Sequence, residues 1–244
     1  MKDAKSYSPD SAEAFLANVN ISNCFKSKLF FMPVSVRESG WKNQNEIPMA
    51  HLNPNLILAS TSAYRRELLE RLRLPFQVVA PRVDETPHPG EDPKALAIRL
   101  AIAKAQAVAN EHLESVVIGS DQVANLKGEC LGKPGTHEKA FVQLQRLRGQ
   151  EVFFETAVAV ICKNTNFQAQ ELIRIRVQFR ELEDAEIENY LQAENPYDCA
   201  GSAKSEGLGI SLLDVIESND PTALIGLPLI ATSRMLRQAG LRIF

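Results

Sequence analysis

Ser60, Ser62, Tyr64, Arg65 and Arg66 stand together directly after the apolar run Leu56–Ala59 and just before the helically spaced Leu68 and Leu69. A strand, a turn and a helix start are the elements this pattern predicts. Such a junction can offer one anion free backbone N–H groups, the positive end of a helix dipole, hydroxyls and two guanidinium groups, and a phosphate fits that set best. Taken alone, the motif is equally compatible with a surface turn carrying solvated arginines. Further along, Asp121 closes the apolar run Ser115–Ser120, two residues after Gly119, where a ligand can approach the backbone closely. In open α/β sheets the chemistry gathers at the carboxyl ends of strands, although an aspartate there can also be a plain turn residue. Lys133 sits between Gly132 and Pro134, a fixed setting suited to a phosphate contact or to a turn lysine. Lys104 shares a helix face with Ala97, Ala101 and Val108, so it is either a cation rising from a stripe of small residues or a snorkelling surface lysine.

The elements that must hold these residues can be taken in order. After the first strand and helix, Phe76–Ala80 reads as a strand and the proline-flanked segment 81–87 as a loop. Asp92 and Pro93 start a helix that runs to about Asn110. A hairpin or loop is expected through Lys127, Gly128 and Glu129, and Thr136 can cap a helix over His137–Leu147. Glu151–Cys162 and Gln168–Glu181 form a long antiparallel pair, with Ile173, Ile175, Val177 and Phe179 inward and Arg174 and Arg176 on a solvated face. An amphipathic helix follows over Leu182–Ala193. If the glycine-rich stretch 197–209 is extended, Ser202, Lys204 and Glu206 point the same way; a loop with solvent-facing charges is the alternative. Asp220, Pro221 and Thr222 suggest a turn, and Pro228–Ala239 a last helix.

Composition narrows the class. The chain has 244 residues, 45% hydrophobic and 23% charged, with a net charge of −3. An ordinary buried core is within reach, and extended nucleic-acid binding is not expected without a basic excess. The 4 cysteines show neither C-x-x-C spacing nor a histidine cluster, which argues against structural zinc and a disulfide framework. No apolar run approaches the roughly 20 residues of a membrane helix, and the N-terminus lacks a signal-peptide layout, so a cytoplasmic protein without membrane contact is expected. Residues 1–53 read as an N-terminal extension of unknown role, disorder included among its readings, with Met49 as an alternative native start; residues 54–244 read as the compact domain.

The motifs Leu58-Ala-Ser-Thr-Ser-x-x-Arg65-Arg66, Val83-Asp84-Glu85-Thr86, Arg99-Leu-Ala-x-x-Lys104-Ala, Gly119-Ser-Asp121-Gln122, Gly132-Lys133-Pro134 and Ala200-Gly-Ser-x-Lys204-Ser-Glu206-Gly, in this order, resemble the Maf family of nucleoside triphosphate pyrophosphatases. Within the family the likeness is to the YceF-like branch described as 7-methyl-GTP pyrophosphatase. The resemblance implies an α/β fold, an elongated mixed twisted sheet flanked by helices and related to inosine-triphosphate pyrophosphatases. It also implies a divalent metal, hydrolysis of a nucleoside triphosphate to monophosphate and pyrophosphate, and a homodimer. By motif, Asp121 becomes the proton acceptor; Tyr64, Gln122 and Glu206 take the base-specificity positions; Ser60, Arg65, Arg66, Glu85, Lys104 and Lys133 match phosphate or metal positions. One departure is Ala63, where the family commonly has proline; alanine loosens the turn without blocking it.

These assignments suit the chemistry. Serines, arginines and lysines, Lys204 among them, would neutralise a triphosphate locally on an acidic protein. Glu85 and Asp121 are the metal candidates, and all-oxygen ligation suits Mg2+ or Mn2+. An N7-methylated guanine is cationic and is attracted to an aromatic face such as Tyr64, while Glu206 can accept from guanine N1–H and N2–H. In the dTTP and UTP branch the resemblance leads one to expect arginine, threonine and glutamine at positions 64, 122 and 206. A pyrophosphatase for another modified or pyrimidine nucleotide, or a nucleotide-sensing regulator of cell division without turnover, are the rival readings.

Overall fold

Four consecutive buried apolar residues make β1 (Leu56–Ala59) a strand covered on both faces, as expected at the centre of a parallel pair. In the computed structural model, which describes residues 55–244, β1 pairs in parallel with β2 (Phe76–Val79) on one side and β3 (Val116–Leu126) on the other. The N-terminal extension and the alternative start at Met49 fall outside the described residues. Seven strands form one mixed sheet in the order β2-β1-β3-β5-β6-β7, with the short β4 (Glu129–Leu131) paired to the far half of β3. β5 (Glu151–Cys162) and β6 (Phe167–Phe179) are the long antiparallel hairpin, and β7 (Leu213–Glu217), not anticipated from sequence, adds to the edge of β6. Five α-helices flank the sheet among the described residues, which makes the fold an open α/β class as expected.

β3 is longer than expected. It does not end at Asp121, because β5 continues the pairing from Val117 opposite Ile161 to Asn125 opposite Phe153. β1, however, stops pairing at Gly119. Asp121 therefore sits just past the end of its parallel neighbour, where one flank of β3 is open to the turn that follows β1. The carboxyl-end argument holds for β1, and Asp121 benefits from it without ending its own strand.

Local chemistry sets the helix starts. Ser62 caps α1 (Ala63–Glu70) by accepting from Arg65 N–H; Asp92 caps α2 (Pro93–Ala109) with Pro93 in its first turn; Thr136 caps α3 (His137–Leu147). Glu183 and Glu186 form a capping box on α4 (Asp184–Glu194). The turn expected at Asp220 is also a cap: its buried carboxylate accepts from Ile230 and Ala231 N–H at the start of α5 (Leu229–Gln238).

α2 lies unusually close to the sheet. Ala97, Ala101 and Ala105 are buried against it, and a Cβ at Gly119 would stand 2.3 Å from the Ala101 carbonyl oxygen and 2.5 Å from Ala105 N. Only hydrogen fits there, and this approach brings Lys104 to Asp121. The opposite face, under α1 and α5, is filled by Leu58, Leu68, Ile118, Val160 and Leu236, and a further cluster under α3 and α4 holds Phe154, Ile175, Val177 and Phe179. Ile173 is half-buried and the other three inward residues of β6 are buried, as their alternation predicts. On the other face the arginines are paired as well as solvated. Arg176 bridges Glu151 and Glu217, and Arg174 reaches the fully buried Glu155 at 3.2 Å.

Candidate active site

The β1–α1 turn, β3, α2 and the segments 130–133, 198–206 and 224–226 surround a cavity of about 610 Å3. Its innermost charged group is Lys104, only 5% exposed, whose Nζ lies 2.7 Å from Asp121 Oδ1 and 2.9 Å from Glu85 Oε1. A buried ammonium needs such partners. The snorkelling alternative is thus removed: Lys104 points inward from the small-residue face of α2 and bridges the two carboxylates. Among the described residues Asp121 Oδ2 makes no hydrogen bond, so this oxygen remains to act as an acceptor.

Beside this cluster the start of α1 opens onto the cavity. Ser60 Oγ accepts from Ser62 N–H at 3.1 Å, and Ser62 Oγ caps the helix, so both serines shape the turn as well as lining it. The first-turn amides at Ala63 and Tyr64 have no carbonyl one turn earlier and face outward from the helix end. Arg65 donates from Nε to the Gly226 carbonyl at 2.8 Å, which holds the guanidinium across the cavity edge. Burial lowers its pKa, while Asp121 and Glu85 oppose that shift. Lys133 lies exposed on the rim.

The structure does not bring every expected residue inward. Arg66 is exposed and pairs with Glu70 one turn along α1, outside the cavity lining. Lys204 also lies outside the lining; its Nζ is 2.9 Å from Glu194 Oε1 and 5.8 Å from the Tyr64 ring centroid, away from the Lys104 cluster. Nor is the stretch 197–209 extended. Residues 200–202 and 208–212 form short 3-10 turns, and Ser202 takes a left-handed φ of 53° with its hydroxyl bonded to Gln143. Ser202, Lys204 and Glu206 therefore do not share a face; Ser202 is buried and Glu206 lines the cavity.

Gln122 lines the cavity with a committed side chain. Its Nε2 is within 3.0 Å of Thr156 Oγ1 and of the Ala223 and Leu224 carbonyls, so it ties down the 223–226 loop. Ser120 Oγ, 2.9 Å from the Gly226 carbonyl, helps in the same way. Any role of Gln122 toward a base then falls to its Oε1 or to the loop it positions.

Tyr64, Asp198, Cys199 and Glu206 form a second group in the lining. Tyr64 donates to Asp198 Oδ1 at 3.3 Å, and burial together with Cys199 and Asp198 raises its pKa. Burial pushes the Cys199 thiol up to about 12, so it is a neutral wall of the cavity, not a nucleophile. Burial also raises Glu206 above an ordinary glutamate. Asp198 was not singled out in the sequence. Nothing periodic marks it, and the only available signal is its place near the start of the glycine-rich stretch 197–209.

Oxygen donors alone suit a hard divalent cation. Asp121 and Glu85 supply one carboxylate each, and no group of three or more His, Cys, Asp or Glu among the described residues makes a complete cage. Such a donor pair fits an ion that arrives with phosphate oxygens, the usual arrangement for magnesium.

A cavity with a buried Lys-carboxylate cluster, an open helix start and an arginine at one group, and an aromatic ring with carboxylates at the other, has the donors and charges that suit a nucleotide's phosphates and base, on an open α/β fold. Residues 55–239 match the family described as Maf-like protein, and the chain belongs to that family. It is 64% identical over 189 residues to the 7-methyl-GTP pyrophosphatase of Polaromonas sp. (strain JS666), covering 78% of this chain and 86% of that protein. To the protein of the same description from Albidiferax ferrireducens it is 62% identical, covering 77% of this chain and 94% of the relative. The Aromatoleum aromaticum protein so described is 61% identical over 76% of this chain and 96% of its own length. No helix among the described residues is long and apolar enough to cross a membrane.

Proposed function

We propose that this chain hydrolyses 7-methyl-GTP to 7-methyl-GMP and pyrophosphate, clearing a modified nucleotide. The observation that carries the reading is the Lys104–Asp121–Glu85 cluster set beside the start of α1 in a cavity whose other group is Tyr64, Asp198 and Glu206. The names of relatives at 62 to 64% identity support the choice of substrate.

In this reading the polyphosphate lies against Ser60, the first-turn amides of α1, Arg65 and Lys133. Asp121 Oδ2 takes the proton of the attacking water as its oxygen forms a bond to the α-phosphorus. The bond from the α-phosphorus to the bridging oxygen breaks, and pyrophosphate leaves with the negative charge neutralised by the cations around it. Lys104 fixes the orientation of Asp121 through Oδ1. A magnesium or manganese ion held by Asp121, Glu85 and phosphate oxygens would supply further charge neutralisation.

At the base, the Tyr64 face attracts the cationic purine, and ionised Glu206 accepts from N1–H and N2–H. The deciding experiment compares kcat/KM for 7-methyl-GTP, GTP, dTTP and UTP. Highest values for 7-methyl-GTP are expected, and a clear preference for dTTP or UTP overturns the reading.

Glu206 also gives the base contact a pH signature. Desolvation at the cavity wall raises its carboxyl above the ordinary value of 4.5, so on acidification the ionised acceptor is lost at a higher pH than for a fully solvated glutamate. KM for 7-methyl-GTP is therefore expected to climb with acidification while still above pH 4.5. In Glu206→Gln, which cannot titrate, KM should be higher near neutrality and that rise should vanish; an identical profile in both proteins removes Glu206 from base binding.

A further inference from the structure

We infer that Asp198 is a specificity-determining residue that selects the positively charged base, an inference resting on the 7-methyl-GTP reading and adding a residue to it. The charges lining the cavity are segregated. Arg65, Lys104 and Lys133 outnumber Asp121 and Glu85 in one group, whereas the group around Tyr64 contributes Asp198 and Glu206, both acidic. The cation nearest that second group, Lys204, is already matched by Glu194 at 2.9 Å and does not line the cavity.

Asp198 is placed to act on whatever stacks on Tyr64. Its Oδ1 is 3.3 Å from the Tyr64 hydroxyl and 3.6 Å from Cys199 Sγ, and no ion pair among the described residues neutralises it. The Tyr64 ring already attracts a cation: the Lys204 ammonium sits 5.8 Å from its centroid. An aromatic face bordered by an unneutralised carboxylate favours an imidazolium-like ring over a neutral one, because both the ring quadrupole and the full charge act in the same direction. GTP and 7-methyl-GTP differ by one methyl group and by that positive charge. A charge contact discriminates between them where size alone would do little.

The test measures kcat/KM for 7-methyl-GTP and GTP with the wild type, Asp198→Asn and Asp198→Glu. The ratio of the two values should fall roughly two- to fivefold in Asp198→Asn, the range of an exposed charge contact, through KM for 7-methyl-GTP with GTP little changed. Asp198→Glu should restore most of the ratio, and added KCl should lower the ratio in the wild type but not in Asp198→Asn. An equal loss on both substrates would mean that Asp198 only holds the Tyr64 ring, and an unchanged ratio would mean that it does not sense the base; either overturns the inference while leaving the substrate reading intact. A wild type inactive on 7-methyl-GTP overturns both.

Discussion

Asp121→Asn is expected to lower turnover about 10²- to 10⁴-fold, the range of a lost general base, while nucleotide binding falls far less. Asparagine keeps the shape of the side chain on β3 and can still place an oxygen near Lys104 Nζ, where Asp121 Oδ1 now lies at 2.7 Å. What it cannot do is accept a proton from water. Pyrophosphate release should therefore collapse, whereas retention of a labelled 7-methyl-GTP in equilibrium dialysis should persist. The same experiment separates catalysis from sensing. A protein that only reports nucleotide levels would have no release to lose, so a wild type that binds 7-methyl-GTP without producing pyrophosphate would sink the enzymatic assignment. Undiminished turnover in Asp121→Asn would instead leave hydrolysis standing and remove Asp121 from it.

The parts of this site that rest on local chemistry were legible in the sequence. Ser62, Asp92 and Thr136 cap the helices they were expected to start, because an N-cap needs only its own helix. The β5–β6 hairpin follows in the same way from alternation and the turn at Lys163–Asn166. The parts that were misread depend on partners distant in the chain. β3 runs past Asp121 because β5 and β4 continue its ladder, and nothing near Asp121 reports that.

Lys204 and Glu206 seemed to share a face only because alternation assumes an extended chain. Left-handed Ser202, anchored to Gln143 on α3, folds the stretch otherwise, and Glu194 on α4 holds Lys204 outside the cavity lining. Arg66 goes outward for a local reason that could have been seen: Glu70 stands one helical turn on. Lys104 is the reverse case, since its stripe of alanines was visible but the closeness of α2 to Gly119, which turns that stripe inward, was not.

That closeness makes Lys104 the residue with the largest expected effect on stability. Among the described residues its ammonium is the only cation in direct ion-pair contact with both Asp121 and Glu85, and truncation leaves Asp121, whose side chain is 10% exposed, beside a second carboxylate with only the more distant Arg65 charge to offset them. Breaking a buried pair by removing one partner costs about 3–5 kcal/mol, and the lower end applies here because the Glu85 side chain is 59% exposed. Lys104→Ala should thus lower the urea midpoint in proportion, and turnover should fall as Asp121 loses its orientation.

The physical cause can be isolated with a second substitution. In Lys104→Ala/Asp121→Asn the stranded charge is gone, so the double variant should be more stable than the sum of the two single losses allows, with a coupling within the roughly 0.5–3 kcal/mol seen for residues in contact. Additive losses would show that Lys104 stabilises α2 by packing alone. The bridge would then have to be judged by catalysis: if the ammonium orients Asp121, Lys104→Met, which keeps the length of the side chain but not its charge, should be as slow as Lys104→Ala.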